Sequence, residues 1–328
     1  KIMANITLVE AVSLALAHEL EKDKNVVVFG EDVGINGGVF RATAGLAQRF
    51  GEERVIDTPL AEAMIAGMTI GMATQGMRPV AEAQFMGFIF PMVEHIVCHA
   101  ARFRNRTRGR MSCPLVIRAP FGGGIHAPEH HSESIEAIFA HIPGIRVVIP
   151  SSPSRAYGLL LAAIRDPDPV LFFEPKRIYR LHKEEVIDDG EELPLDMCFE
   201  LREGTDITLV TWGSMVKETL EAADKLAERG ISAEVIDVAT ISPIDMDTIE
   251  ESVKKTGRCV IIQEAAKRCS VSSEIAAHLA EHSLYSLMAP VKRVTGYDVI
   301  MPLFKLEKKY MPSVERILKA VDEVMEVS

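Results

Sequence analysis

The chain alternates between two kinds of apolar pattern. Short continuous runs such as Val26-Val27-Val28-Phe29, Pro114-Leu115-Val116-Ile117 and Val170-Leu171-Phe172-Phe173 carry no polar alternation, as strands covered on both faces do. Between them lie stretches whose apolar residues recur at helical spacing, among them Ile6 to Lys22 with Thr7 as a cap, Met92 to Arg104, Ser134 to Ala140 and Ser154 to Ile164. Pro79 to Phe85 and Arg146 to Ile149 read as two further strands. Strand–helix alternation of this kind predicts a parallel sheet flanked by helices.

From Lys176 to Glu203 the text turns charged and irregular, with Asp188-Asp189-Gly190 inside it, which marks a linker. The alternation then resumes. Strands are expected at Asp206–Thr211, Ser232–Val238, Arg258–Gln263 and Val291–Val294, with helices at Met215–Arg229, Met246–Lys255, Ser270–Glu281 and Ser313–Met325. The expected fold class is therefore α/β in two domains, each a mainly parallel sheet flanked by helices: residues 1–185, a linker over 186–204, and residues 205–328.

One stretch departs from ordinary amphipathic patterning. From Thr58 to Met77 the only ionisable side chain is Glu62. Thr58 or Asp57 can cap a helix here and Pro59 suits its first position, so the spacing predicts a buried helix starting near Thr58. A carboxyl buried with it would hold a proton more tightly and could hand it to a basic ligand nitrogen. The competing account is an acid that merely complements the helix dipole. Gly67 and Gly71, four apart on the same helix, would suit close packing against another helix, the chain's own or a partner's.

Composition narrows the classes. No apolar run approaches the ~18 residues of a membrane helix. The sequence enters helix-like text directly after Lys1-Ile2-Met3-Ala4, without a signal core, so export is not expected. Five scattered cysteines without a Cys-x-x-Cys pair argue against a disulfide framework or structural zinc. A formal net charge of −11 argues against general nucleic-acid binding and would suit a basic partner. The arginine-rich stretch Arg102–Arg110 reads accordingly as a solvated helix end gripping an anion or a partner's acid.

Two loops carry candidate chemistry. Gly30-Glu31-Asp32-Val33-Gly34 with Gly37-Gly38 matches no phosphate-binding glycine spacing. Gly122-Gly123-Gly124 delivers His126, Glu129, His130 and His131 after a strand, where α/β proteins place chemistry. Acid–base work by one histidine, a metal site and a purely structural role all stay open there. Phe85, Phe88 and Phe90 offer either core packing or an apolar wall for a planar ligand.

Asp57-Thr58-Pro59-Leu60-Ala61-Glu62 followed by Gly67 and Gly71, with Phe29–Gly34 and Gly37–Phe40 upstream, closely resembles the β subunit of 2-oxo acid dehydrogenase E1 components. His131-Ser132, Ala140-His141-Ile142-Pro143-Gly144, Phe172–Lys176, Lys255–Arg258 and Ala289 to Asp298 continue the resemblance over nearly the whole chain. The resemblance implies a thiamine-diphosphate enzyme that decarboxylates a 2-oxo acid and reductively acylates the lipoyl group of an acyltransferase (E2). It places Glu62 against the aminopyrimidine ring and an aromatic cofactor contact on Phe88, where branched-chain members usually carry tyrosine. The β-subunit histidine falls on His131, with His130 standing where tyrosine is common. It also implies a potassium ion held mainly by backbone carbonyls at Leu115, Val116, Ala163, Asp166 and Asp168. The two domains would be a pyrimidine-binding domain and a transketolase C-terminal-like domain.

The chain has no Gly-Asp-Gly followed by paired asparagines, the element that holds magnesium and diphosphate in thiamine enzymes. The resemblance therefore implies an E1 α subunit supplying that half together with Mg2+, an α2β2 assembly active only as such, and docking of the E2 core on the second domain. This makes a self-sufficient transketolase-like enzyme the weaker expectation; a non-catalytic structural module is the alternative from another class. Phe172–Lys176 and Arg293–Asp298 look like branched-chain members, whereas Gly122–His126 and Pro128-Glu129 look like bacterial pyruvate members. The expectation leans to a branched-chain 2-oxo acid, with pyruvate as the alternative. The location expected is cytoplasmic for a prokaryotic chain and the mitochondrial matrix for a mature eukaryotic one.

Overall fold

A computed structural model describes residues 2–327; Lys1 and Ser328, the outer ends of the two expected domains, lie outside the described residues. The chain forms two compact α/β units. One comprises the chain up to Phe121 together with Ile138–Leu195, the other Gly122–Ala137 together with the chain from Asp196 onward.

The first unit holds strands β1 (Ile2–Ile6), β2 (Val26–Gly30), β3 (Val55–Asp57), β4 (Arg78–Glu82), β5 (Val116–Phe121), β6 (Arg146–Val148), β7 (Val170–Pro175) and β8 (Glu184–Asp188). Six of them lie in the order β6-β7-β5-β4-β2-β3 and pair in parallel. The continuous apolar runs behave as expected: every residue of β2, β5 and β7 is buried. β1 and β8 instead pair with each other, antiparallel. The helix Leu8–Lys22 begins with a capping box in which the Thr7 amide donates to Glu10 at 2.8 Å, and it packs on the helix Pro153–Arg165.

In the second unit lie β9 (Phe199–Arg202), β10 (Ile207–Thr211), β11 (Ala233–Asp237), the short β12 (Thr240–Ser242), β13 (Cys259–Ala266) and β14 (Lys292–Gly296). The sheet order is β14-β13-β10-β11-β9, parallel except for β9. Helices Val216–Glu228 and Val314–Met325 pack together over it, burying Leu226, Ile317 and Val321 against Leu209, Val235 and Ile262. Each such side chain contributes roughly 1.5–3 kcal/mol of burial. The stretch 186–204 carries the end of β8 and all of β9.

Three local expectations are corrected. The helix expected from Thr58 starts at Glu62, because the Thr58 amide donates to Gly30 O at 2.9 Å and the Asp57 carboxylate accepts from the Gly34 and Ile35 amides at 2.6 and 3.0 Å. Those bonds tie 57–58 to the β2 loop and postpone the first helical turn. Second, the helix Glu62–Thr74 buries only Ile65, Ala66, Thr69 and Ala73; Leu60 and Met64 are exposed. Third, the continuous helix expected over Met92–Arg104 is broken into a 3-10 turn at Phe90–Met92, a turn of α-helix at Val93–His95, a π-turn at Ile96–Ala100 and a last helical turn at Phe103–Arg106. Arg102 Nε and Arg106 Nη2 donate to the Val97 and Cys98 carbonyls at 3.2 and 2.7 Å, absorbing acceptors that a regular helix would satisfy. Two of the five arginines in the run thus brace their own helix end.

Candidate active site

Parallel strands present their C-terminal ends along one edge of the sheet, and the first unit lines that edge with acids. Glu31 follows β2, Glu82 ends β4, Glu174 lies near the end of β7, and Glu62 opens the helix after β3. Glu31 is 5% exposed and its Oε1 has no hydrogen-bond partner among the described residues. Its carboxyl is held above the ordinary range, first by burial and then by the negative charges of Glu62, Asp32 and Glu82. Glu62 itself is half-buried in the first turn of its helix, and no side-chain hydrogen bond forms to it among the described residues. The hydroxyl of Thr58, in the same loop, is likewise buried without a partner. The site thus offers two neighbouring carboxyls and a hydroxyl with unfilled hydrogen-bonding capacity.

Behind these groups runs a closed ionic ladder. Arg118 is fully buried and sits opposite Glu82 in the β4–β5 register. Its Nη1 donates to Glu82 at 2.9 Å, while Nε and Nη2 grip both oxygens of Glu174 at 2.6 and 2.9 Å. The Tyr179 hydroxyl donates to Glu174 at 2.5 Å. Burial raises the Glu82 carboxyl, opposed by Arg118; for Arg118 burial works against the charge, but the two carboxylates outweigh it and raise its pKa. The ladder ties β4, β5 and β7 together, and the Phe85–Phe88 turn departs from the end of β4.

Phe88 is half-buried at the end of that turn and meets Phe85 edge-to-face at 5.7 Å; Phe85 meets Phe40 in the same way at 5.4 Å. Phe85 belongs to the core, whereas Phe90 is exposed. Leu115, Val116, Ala163, Asp166 and Asp168 gather at the opposite edge, where β5 and β7 begin and the helix Pro153–Arg165 ends. Leu115 O accepts the Val170 amide at 3.0 Å and Asp166 O accepts Arg78 Nη1 at 3.2 Å. The two aspartate side chains are engaged by Arg146 at 3.4 Å and Arg104 at 2.7 Å.

His131 lies in the second unit, in the 122–137 loop. Glu264 is buried and accepts from the Gly123 amide and from Ser134 Oγ at 3.0 Å; Glu307, also buried, accepts from the Gly124 and His126 amides at 2.7 and 3.2 Å. Gly122 is required there, since a Cβ would come within 2.8 Å of Glu264 Oε1 and its φ is +86°. His131 Nδ1 lies 2.8 Å from Glu129 O. A carbonyl only accepts, so Nδ1 carries the hydrogen and proton exchange is directed to Nε2. His130 adopts a left-handed φ of 65° and lies 3.7 Å from Glu133. Among the described residues no group of three or more His, Cys, Asp or Glu is arranged to hold a metal ion.

Reasoning from sequence singled out Glu62, Phe88 and His131 but passed over Glu31, Arg118, Glu264 and Glu307. A signal was present for some of the acids: Glu31, Glu82 and Glu174 each follow or close a run that is otherwise apolar.

Comparison with known proteins defines the class first. Residues 4–182 match the transketolase pyrimidine-binding domain and residues 198–317 the transketolase C-terminal domain. A solved split-gene transketolase, described as an inactive beta4 tetramer, superposes with a TM-score of 0.80 at 26% identity, covering 99% of both chains. The pyruvate dehydrogenase E1 component subunit beta of Acholeplasma laidlawii is 51% identical over 96% of each chain. The 2-oxoisovalerate dehydrogenase subunit beta of Bacillus subtilis is 49% identical over 99% of this chain and 100% of its own length. The chain belongs to the E1-component β subunits of 2-oxo acid dehydrogenase complexes.

Proposed function

We propose that the chain forms the β half of a thiamine-diphosphate-dependent E1 that decarboxylates a 2-oxo acid and passes the acyl group to the lipoyl domain of E2. The observation that carries this reading is the pair Glu31 and Glu62: a buried acid with a raised pKa beside a carboxyl that opens a helix without a partner. The unfilled hydrogen-bonding capacity of Glu31, Glu62 and Thr58, close to an aromatic turn, fits a planar, nitrogen-bearing ring. Thiamine diphosphate, when bound, supplies the carbon that adds to the 2-oxo group and the electron sink for loss of carbon dioxide. Glu62 would exchange a proton with the aminopyrimidine ring nitrogen, Phe88 would face the ring, and His131 would move protons through Nε2.

The diphosphate and Mg2+ fall to an α subunit in this reading, because the sequence lacks the magnesium-binding element. The α2β2 assembly draws support from the helix Glu62–Thr74, where a Cβ at Gly71 would meet nothing within 4 Å among the described residues. Carbonyls at Leu115, Val116, Ala163, Asp166 and Asp168 would hold K+; Leu115 O and Asp166 O, each accepting one hydrogen bond, keep a second lone pair. Residues 1–185 and 205–328 are taken as the pyrimidine-binding and C-terminal domains, the latter docking E2.

Pyruvate and branched-chain 2-oxo acids fit equally as substrates. Phe172 to Glu174, which favoured the branched-chain reading, are core residues around Arg118 and bear on packing rather than on a substrate. Reconstitution with an α subunit, assayed on pyruvate and on 2-oxoisovalerate, divides the two. Glu62→Gln should lower turnover about 10²–10⁴-fold with the assembly intact; near-normal turnover would sink the assignment, as would full activity of the β chain alone.

A further inference from the structure

The second unit contains a cavity of about 470 Å³ beside β14, within the size range of small-molecule sites. Lys267, Lys292, Arg293, Arg316 and Lys319 line it against one carboxylate, Glu323. In a chain of net charge −11 this is a local reversal of sign. Glu323 is engaged by Lys292 at 2.9 Å and also feels Lys319, so the lining carries an excess of four positive charges.

Both guanidinium groups are held by neutral oxygens. Arg293 Nη1 donates to Lys267 O at 3.0 Å and to Ser273 Oγ at 2.7 Å. Arg316 donates from Nη1 to the Tyr310 and Met311 carbonyls at 3.1 and 3.2 Å and from Nη2 to Thr295 O at 2.5 Å, and it rests 4.8 Å from the Tyr297 ring centroid. Neither meets a carboxylate among the described residues. An arginine braced in this way keeps its charge and loses little further freedom when an anion arrives. Its planar donor fork matches phosphate oxygens. Val291, Ala320 and the half-exposed Tyr297 add apolar wall that a bare inorganic anion would not use.

We propose that this cavity binds a small organic polyphosphate of nucleoside diphosphate size. Arg293, Lys267 and Lys319 hold the phosphates, and the organic body lies against Tyr297 and the Val291–Ala320 wall. The site is independent of the decarboxylation assignment, since none of its lining residues is among Glu31, Thr58, Glu62, Phe88 and His131.

Isothermal titration of the full chain with ADP, pyrophosphate, orthophosphate and adenosine tests it. ADP is expected to bind one-to-one, more tightly than orthophosphate or adenosine, and to weaken steeply with salt. Lys267→Gln/Lys319→Gln changes two exposed side chains and should weaken ADP at least about tenfold; Arg293→Gln should do the same. Three results would overturn the proposal: no saturable ADP binding at millimolar concentration, unchanged affinity in the lysine double variant, or adenosine binding as tightly as ADP.

Discussion

The carboxyl of Glu31, just after β2, feels the charge of Glu62, at the start of the helix that follows β3, and that repulsion adds to burial in raising its pKa. The folded state therefore binds the Glu31 proton more tightly than the unfolded chain does. Its contribution to stability is full below the ordinary carboxylate range and is lost as pH rises through the raised value. Replacing Glu62 with Gln removes one cause of the shift, so the loss should move to lower pH. Thermal midpoints of the wild type, Glu62→Gln and Glu31→Gln from about pH 4 to about pH 8 read this directly. The Glu31→Gln curve should be the flattest of the three; superimposable curves would show that the two groups do not interact.

Arg118 neutralises two buried acids at once, so removing it leaves both without a counter-charge. Arg118→Met should destabilise the first unit by about 3–5 kcal/mol. Neutralising all three positions together should cost far less than the arginine change alone, because no charge is then stranded. Guanidinium titrations of the single and triple variants, followed by a probe in the first unit, make the comparison. A loss below about 1 kcal/mol in Arg118→Met would remove the ladder from the list of stabilising features.

The parallel strands were legible because β2, β5 and β7 are covered on both faces, and burial on both faces leaves an uninterrupted apolar run. β3 has three residues, and β9 is a polar edge strand paired antiparallel, so neither leaves such a run. Glu62 stood out because a lone charge in an apolar run is a local signal. Its surroundings did not, since the exposure of Leu60 and Met64 depends on what else the fold brings to that face. Arg118 reads in sequence like any charged residue closing a strand; only the register with Glu82 and the proximity of Glu174 reveal its role. The segments used to favour one substrate lie partly in that same buried ladder, which explains why they spoke to packing.

Gly71 provides a test of assembly that leaves the fold alone. A Cβ there would meet nothing within 4 Å among the described residues, and glycine is about 1 kcal/mol poorer than alanine inside a helix. Gly71→Leu should therefore keep or raise the thermal midpoint of the isolated chain while weakening association with its partner subunit. Sedimentation velocity of the variant with and without the α subunit measures both. Normal assembly of Gly71→Leu would show that this face stays open in the complex.

Glu307 links the second unit's core to the loop that carries His131. It is 2% exposed and holds the Gly124 and His126 amides, one on each carboxylate oxygen. In Glu307→Ala both amides lose their acceptor, a cost of about 1–3 kcal/mol for each that stays buried, and the loop escapes that cost by moving outward. His131, a few residues further along, would then lose its placement while its own side chain is unchanged. The expected result is faster amide exchange over residues 122–132 together with a fall in kcat in the reconstituted enzyme. Glu307→Gln keeps one acceptor oxygen and should lie between the two. Exchange in this loop as slow as in the wild type would separate Glu307 from the positioning of His131.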